Sequence, residues 1–214
     1  MITGFFVASL YLSNILDIKL LHIGVFTLPA GMIAFPITFL FSDVLTEVYG
    51  YSYSRQTIWT GFISLVFLVL MLTLVKYLPA ADFWNLQKPY EEVLGRVPRI
   101  VLASITAYFC SEFTNSFVLA KLKLKTTGKK MPLRFVLSTV AGQGVDTIIF
   151  CSIAFTGTVP MEELPKIMVT GWIFKSVWEV IALPFTVPFV KWLKKVENED
   201  YFDRNTNFSP FILK

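Results

Sequence analysis

Asp43 and Glu47 stand four residues apart in an apolar run that begins at Phe35-Pro36, continues through Ser42, Asp43, Thr46, Glu47 and Tyr49, and closes on Gly50. On a helix that spacing puts both carboxylates on one face. An ionised group at the centre of a bilayer costs roughly 2.5–3.5 kcal/mol on insertion scales, so acids so placed face a cavity or a partner. Glu112, Asp146 and Glu179 lie in further apolar runs, and the one base in comparable company is Lys175. The interior is therefore acidic by composition. It suits a cation, a proton-coupled process, or a ligand that donates several hydrogen bonds. Amides accompany the acids: Asn14 stands in the first apolar run, Asn115 follows Glu112 at i,i+3, and Gln143 precedes Asp146 at the same spacing. Lys175 and Glu179, at i,i+4 and flanked by Trp172 and Trp178, form either a self-neutralising pair or part of a site. Glu47 sits near the end of its run and reaches either the interior or the interface.

Enzyme chemistry lacks its parts. There is no H-E-x-x-H, no G-x-S-x-G and no P-loop, and the lone His22 lies in a short connection. Cys110 and Cys151 form no spaced motif, so neither a metal site nor a disulfide is expected. No cofactor is expected.

These groups need membrane-spanning elements to position them. The 214 residues are 55% hydrophobic and only 16% charged, with a mean hydropathy of +0.63, whereas an average soluble domain carries about 25% charged residues. Apolar stretches near residues 2–18, 25–48, 57–76, 98–120, 135–158 and 167–190 predict six transmembrane helices. The fold class is all-α, a polytopic membrane protein with residues 1–196 as the transmembrane domain. The first stretch reads as a span and not a cleaved leader, since it has no basic n-region and five further spans follow. Pro29 and Pro36, with Gly31, break the second stretch. They make it either a kinked segment exposing carbonyls beside a substrate or an ordinary proline-kinked helix.

Orientation follows from the basic connection 121–134, with Lys121, Lys123, Lys125, Lys129, Lys130 and Arg134 and no acid. Short basic loops stay inside, which gives N-in, C-in topology and accounts for the net charge of +4 without a nucleic-acid partner. Residues 197–214 read as a solvated cytoplasmic tail, whose Asn207-Phe-Ser209 sequon lies on the wrong side for glycosylation. The uncharged third stretch is expected to face lipid. Pairing Asn14 with Asn115, and Asp43 with Asp146, suggests a 3+3 inverted repeat, an arrangement that places a transport site at the repeat interface. Tyr108, Trp172 and Phe35 are candidates to stack on a flat ligand, and Arg99 reads as either a gate residue or a side chain snorkelling to headgroups.

Together these residues resemble the vitamin uptake transporter family, which includes the bacterial queuosine precursor transporters. The resemblance rests on Ser13-Asn14, the Phe35 to Gly50 run, Arg99 through Tyr108, Ser138-Thr139 with Gly142, Asp146-Thr147 and Phe150, and Phe174-Lys175 with Pro184. It implies uptake across a bacterial plasma (inner) membrane of a 7-deazaguanine: 7-cyano-7-deazaguanine, 7-aminomethyl-7-deazaguanine or queuine, for tRNA queuosine modification. A carboxylate accepts the ring N–H and exocyclic amine of such a base bidentately, and Glu112 or Asp146 is the expected clamp. Asn14, Asn115 and Gln143 would read the remaining edge, and Asp43 or Glu47 an added ammonium. Lys175 would hold one acid ionised or polarise the ligand carbonyl. Proton coupling and homo-oligomerisation stay open. The alternative is a substrate-binding membrane subunit of an ATP-driven importer, for which the small residues Gly4 and Ala8 offer a docking face.

Overall fold

Proline and glycine set the element boundaries in an otherwise nearly continuous apolar chain. The computed structural model describes residues 2–16, 19–23, 26–94, 98–157, 160–162 and 164–212, without the side chains of residues 20, 22, 23, 26–29, 32, 35, 36, 98–101 and 155. Helix α1 (Ile2–Leu16) leads into a two-stranded antiparallel hairpin, β1 (Leu20–Ile23) and β2 (Phe26–Pro29), and then a 3-10 turn over Ala30–Ile33. There follow α2 (Phe35–Tyr49), α3 (Tyr51–Tyr77), the short α4 (Gln87–Leu94), α5 (Pro98–Lys125), α6 (Met131–Phe155) and α7 (Leu164–Glu197). Apart from the hairpin the fold is helical, as expected.

The second expected span is shorter than its apolar run. Proline supplies no amide donor and fits only the first turn of a helix, so Pro36 falls at the start of α2 while residues 26–33 form strand and 3-10 turn. The Gly31 carbonyl left by this break accepts a hydrogen bond from Ser13 Oγ of α1 at 3.3 Å. A neighbouring helix thus answers the freed backbone group, as a low-dielectric environment requires.

Among the described residues three helices are long and apolar enough to cross a membrane: Tyr51–Tyr77, Met131–Ala154 and Leu164–Glu197. Helices α1 and α2 have 15 residues each, or about 22 Å of rise, less than the roughly 20 residues that a straight crossing takes. Helix α5 has 28 residues, and Ser111, Glu112 and Asn115 dilute its apolar character.

Helix α2 packs against α1, α3, α5 and α7, while α6 lies between α5 and α7. One apolar cluster joins α1, α3 and α5 through Phe6, Leu10, Ile58, Leu65, Tyr108 and Phe113. A second joins α2, α5, α6 and α7 through Val44, Val48, Leu119, Phe135, Val190 and Leu193. The opposite face of α3 is apolar and open, with Ile63, Phe67 and Leu70 each more than half exposed, in keeping with the lipid-facing expectation.

The tail departs from expectation. It is packed against the bundle instead of solvated: Tyr201 N–H donates to Val48 O at 2.9 Å, and the buried Asp203 carboxylate accepts the Tyr51 N–H at 3.0 and 3.1 Å. Helix α3 begins directly after α2 and its first amides have no partner within the helix, so an anion at that terminus is favoured. Gly50 makes the junction. Its φ of 86° and ψ of 173° suit only glycine, and a Cβ there would lie 2.3 Å from the Tyr201 ring. Gly50→Ala is therefore expected to lower stability by about 1–3 kcal/mol through backbone strain and to displace the tail. Thermal unfolding in detergent checks this, and an unchanged midpoint would show that the junction tolerates a side chain.

Candidate functional site

Four helices bring their polar faces together. From α2 come Thr38, Ser42, Asp43 and Thr46; from α5, Ser111, Glu112, Asn115 and Ser116; from α6, Ser138, Thr139, Gln143, Asp146 and Thr147; from α7, Glu179, and all are buried. Gly142 allows the approach of α5 to α6, because a Cβ there would lie 3.0 Å from Asn115 Cβ and 3.2 Å from Ser111 O. Gly144 faces the Trp172 indole of α7, where an added Cβ would make ordinary contact at 3.5 Å.

Within this core the groups pair across helices. Asn115 Nδ2 donates to Asp43 Oδ1 at 2.7 Å, and Ser42 Oγ donates to Glu112 Oε2 at 2.5 Å. Lys175 Nζ meets Asp146 Oδ2 at 2.6 Å, and Trp172 Nε1 donates to Val140 O at 2.9 Å. The second oxygens tell a different story. Asp43 Oδ2, Glu112 Oε1, Asn115 Oδ1, Gln143 Oε1 and Glu179 Oε1 are buried without a hydrogen-bond partner. Buried polar atoms are normally satisfied, so each such atom calls for an explanation. All five are acceptors when the carboxylates are ionised. The arrangement is chemically matched to a ligand presenting N–H groups. No group of three or more metal-ligating side chains occurs among the described residues. A shallow recess on the first turns of α7, lined by Pro165, Lys166, Val169 and Thr170, contains none of these groups.

Glu47 belongs to a separate network one turn along α2. Its Oε1 accepts from Arg134 Nη2 and from Lys194 Nζ, both at 2.6 Å, with Lys123 Nζ at 3.9 Å. Lys123 Nζ also donates to Glu47 O at 2.5 Å and to Tyr201 O at 2.6 Å, and Asp200 lies 2.7 Å from both lysines. Burial drives the Lys123 ammonium below its ordinary pKa, with Glu47 opposing. Burial alone would raise the Asp200 carboxyl, but hydrogen bonds from Lys123 and Lys194 hold it below its ordinary value.

A family model described as "Putative vitamin uptake transporter" matches residues 29–189, from the end of the hairpin to most of α7. The chain belongs to the vitamin uptake transporter family. It is similar to the "Probable queuosine precursor transporter" of Bacillus subtilis (strain 168), at 27% identity over 174 residues, covering 81% of this chain and 76% of that protein. No solved structure matches it. The family and this relative are transporters and not enzymes, consistent with a chain lacking catalytic motifs.

In this vitamin uptake transporter the residues singled out by sequence divide. Asp43, Glu112, Asn115, Gln143, Asp146, Lys175 and Glu179 gather in or at the edge of one polar core, with Trp172 beside it. Glu47 instead holds the ion network. Asn14 Nδ2 donates to Leu10 O of its own helix, and the Tyr108 hydroxyl donates to Ile58 O of α3, which commits it to packing there. The side chains of Arg99, Pro29, Pro36 and Phe35 lie outside the described residues. Lys175 pairs with Asp146 of α6, not with Glu179 of its own helix as the local spacing offered. Ser42, Lys123 and Arg134 were missed as interior groups. The signal for the two cations was Glu47 itself, since an acid buried at a helix end demands bases from elsewhere.

Breaking the Lys175–Asp146 pair from one side leaves a buried charge, typically costing about 3–5 kcal/mol. Lys175→Met should therefore destabilise the protein more than Lys175→Met combined with Asp146→Asn. Melting temperatures of the two single variants and the double variant in detergent measure the coupling. Additive effects would mean that the two groups do not act as a pair.

Proposed function

We propose that this chain is a six-span, N-in/C-in carrier of the bacterial plasma membrane that imports a queuosine precursor, a 7-deazaguanine. The surplus of unpartnered buried acceptors at the meeting of α2, α5, α6 and α7 carries this reading. The name of the Bacillus subtilis relative supports the substrate class, and the family description supports a carrier over a capture subunit. On this reading α1, α2 and α5 complete the crossings begun by α3, α6 and α7. Residues 197–214 lie at the cytoplasmic end, and an inverted repeat relates Asp43 to Asp146.

A deazaguanine presents a ring N–H beside an exocyclic amine, a donor pair that fits one carboxylate. Glu112 is the better clamp of the two expected, because Asp146 is engaged by the Lys175 ammonium, whereas Glu112 is held at Oε2 by the Ser42 hydroxyl and its Oε1 has no partner. The oxygens of Asn115 and Gln143 extend the acceptor edge to further N–H groups. Trp172, fixed on Val140, supplies an aromatic wall, and stacking on a base contributes roughly 1–3 kcal/mol. Asp43 and Glu179 would take the ammonium of the aminomethyl compound or of queuine, a group that the cyano compound lacks. Glu47 falls outside the binding role, its charge being met at Oε1 by Arg134 and Lys194.

Purified protein in proteoliposomes, given radiolabelled 7-deazaguanines with and without an imposed pH gradient, tests the whole reading. Uptake by the protein alone is expected, and a rate that rises with the gradient would add proton coupling. Binding without uptake would favour the capture subunit. Glu112→Gln should weaken equilibrium binding by about 10–100-fold, corresponding to loss of a charge-assisted bond of roughly 1.5–3 kcal/mol, with normal abundance in the membrane. Wild-type affinity in that variant would remove Glu112 from the site.

A further inference from the structure

The last described residues run along α3 in an irregular conformation whose backbone is answered by protein at every consecutive carbonyl from 207 to 210. Arg55 Nη1 donates to Asn207 O at 2.7 Å and to Ser209 O at 2.8 Å. The Tyr51 hydroxyl donates to Phe208 O at 3.1 Å, and the Trp59 indole to Pro210 O at 2.8 Å. Ser209 N–H is taken by Asn207 Oδ1, and Pro210 has no amide hydrogen to place. A segment in water needs no such provision, because solvent hydrates the carbonyls of an exposed loop. Irregular backbone at membrane depth needs it at every group.

Depth agrees with this. Helix α3 has 27 residues, a rise of about 40 Å, of which roughly 30 Å would lie in hydrocarbon. Trp59 stands eight residues beyond Tyr51, about 12 Å along the axis, so the chain at Pro210 has reached the level where headgroups give way to acyl chains. Indoles concentrate at that level. The side chains carried there are apolar and turned outward. Phe211 is 71% exposed with its ring centroid 6.4 Å from that of Trp59, and Ile212 is 39% exposed. Phe208 is held inward, stacked edge-on against Phe117 and capped by the Lys121 ammonium at 3.8 Å.

We infer that residues 207–212 form a membrane-interface anchor, pinned to α3 by Tyr51, Arg55 and Trp59 and presenting Phe211 and Ile212 to lipid. The inference rests on α3 crossing the bilayer and is independent of the transported substrate. The test uses the full chain in a Cys110→Ala/Cys151→Ala background, reconstituted in vesicles of phosphatidylethanolamine and phosphatidylglycerol. Nitroxide labels go on Phe211→Cys and, separately, on Ile212→Cys. Leu70→Cys, on the exposed apolar face of α3, and Glu199→Cys, at the exposed start of the tail, are the references. The ratio of molecular oxygen to nickel-chelate accessibility reports lipid against water. At 211 and 212 it is expected to stand several-fold above that at 199 and to approach that at 70. A ratio equal to that at 199 would put the segment in water and overturn the anchor. Protection from both reagents would mean that protein, such as a second copy of this chain, covers the segment, which also overturns it. A water-like ratio at 70 would instead remove the premise that α3 spans the membrane.

Discussion

A carboxylate with no access to water organises one whole end of this bundle. Glu47 comes from α2, a helix that carries a second acid, Asp43, and no base, so the compensating charge arrives from α5, α6 and α7. Desolvating an ion costs several kcal/mol and is repaid only when geometry and hydrogen bonding are good. That condition fixes where Lys123, Arg134 and Lys194 must lie, hence the relative depth of four helices. Asp200 and the Tyr201 carbonyl then complete the coordination of the lysines, drawing the tail in behind them. From there Asp203 meets the start of α3. The position of the tail follows from the electrostatics of a residue that it does not itself carry.

The polar core one turn away obeys the opposite logic. Asp43, Glu112 and Glu179 have no basic partner among the described ion pairs, and their bonds come from Asn115 and Ser42 or not at all. A structural role would favour complete satisfaction, because a half-satisfied buried network is worse than an apolar one. The contrast is one of charge: Glu47 is met by three cations, although its Oε2 has no partner, whereas Asp43, four residues earlier on α2, is met by the Asn115 amide alone among the described hydrogen bonds. Gly142 lets α6 close on α5 at Asn115 and Ser111.

Much of this was legible in the sequence. The apolar runs located α1, α3, α5, α6 and α7, and the i,i+3 and i,i+4 spacing of acids and amides identified most of the polar core. What escaped had a common physical cause: it depended on partners distant in the chain. Lys123 and Arg134 look like ordinary loop charges, and only the placement of Glu47 draws them inside. The tail looks hydrophilic, yet its carbonyls and Asp203 are what α3 lacks. The hairpin at residues 20–29 was hidden because an apolar run broken by proline reads equally as a kinked helix. The pairing of Lys175 with Asp146 rather than Glu179 is a property of the α6–α7 packing, which local spacing does not encode.

The distance in sequence between Arg55 and the carbonyls it holds has a consequence for biogenesis. The chain is made from its N-terminus, so α3 enters the membrane while residues 207–210 are still to be translated. Through most of synthesis the guanidinium of Arg55 and the first amide of α3 must therefore find temporary partners, in headgroups, water or the insertion machinery. Their permanent partners arrive only after the remaining helices. Closure of that end of the bundle is thus a late event of assembly, and until then α3 itself offers Arg55 the Ser52 hydroxyl and the Tyr51 ring.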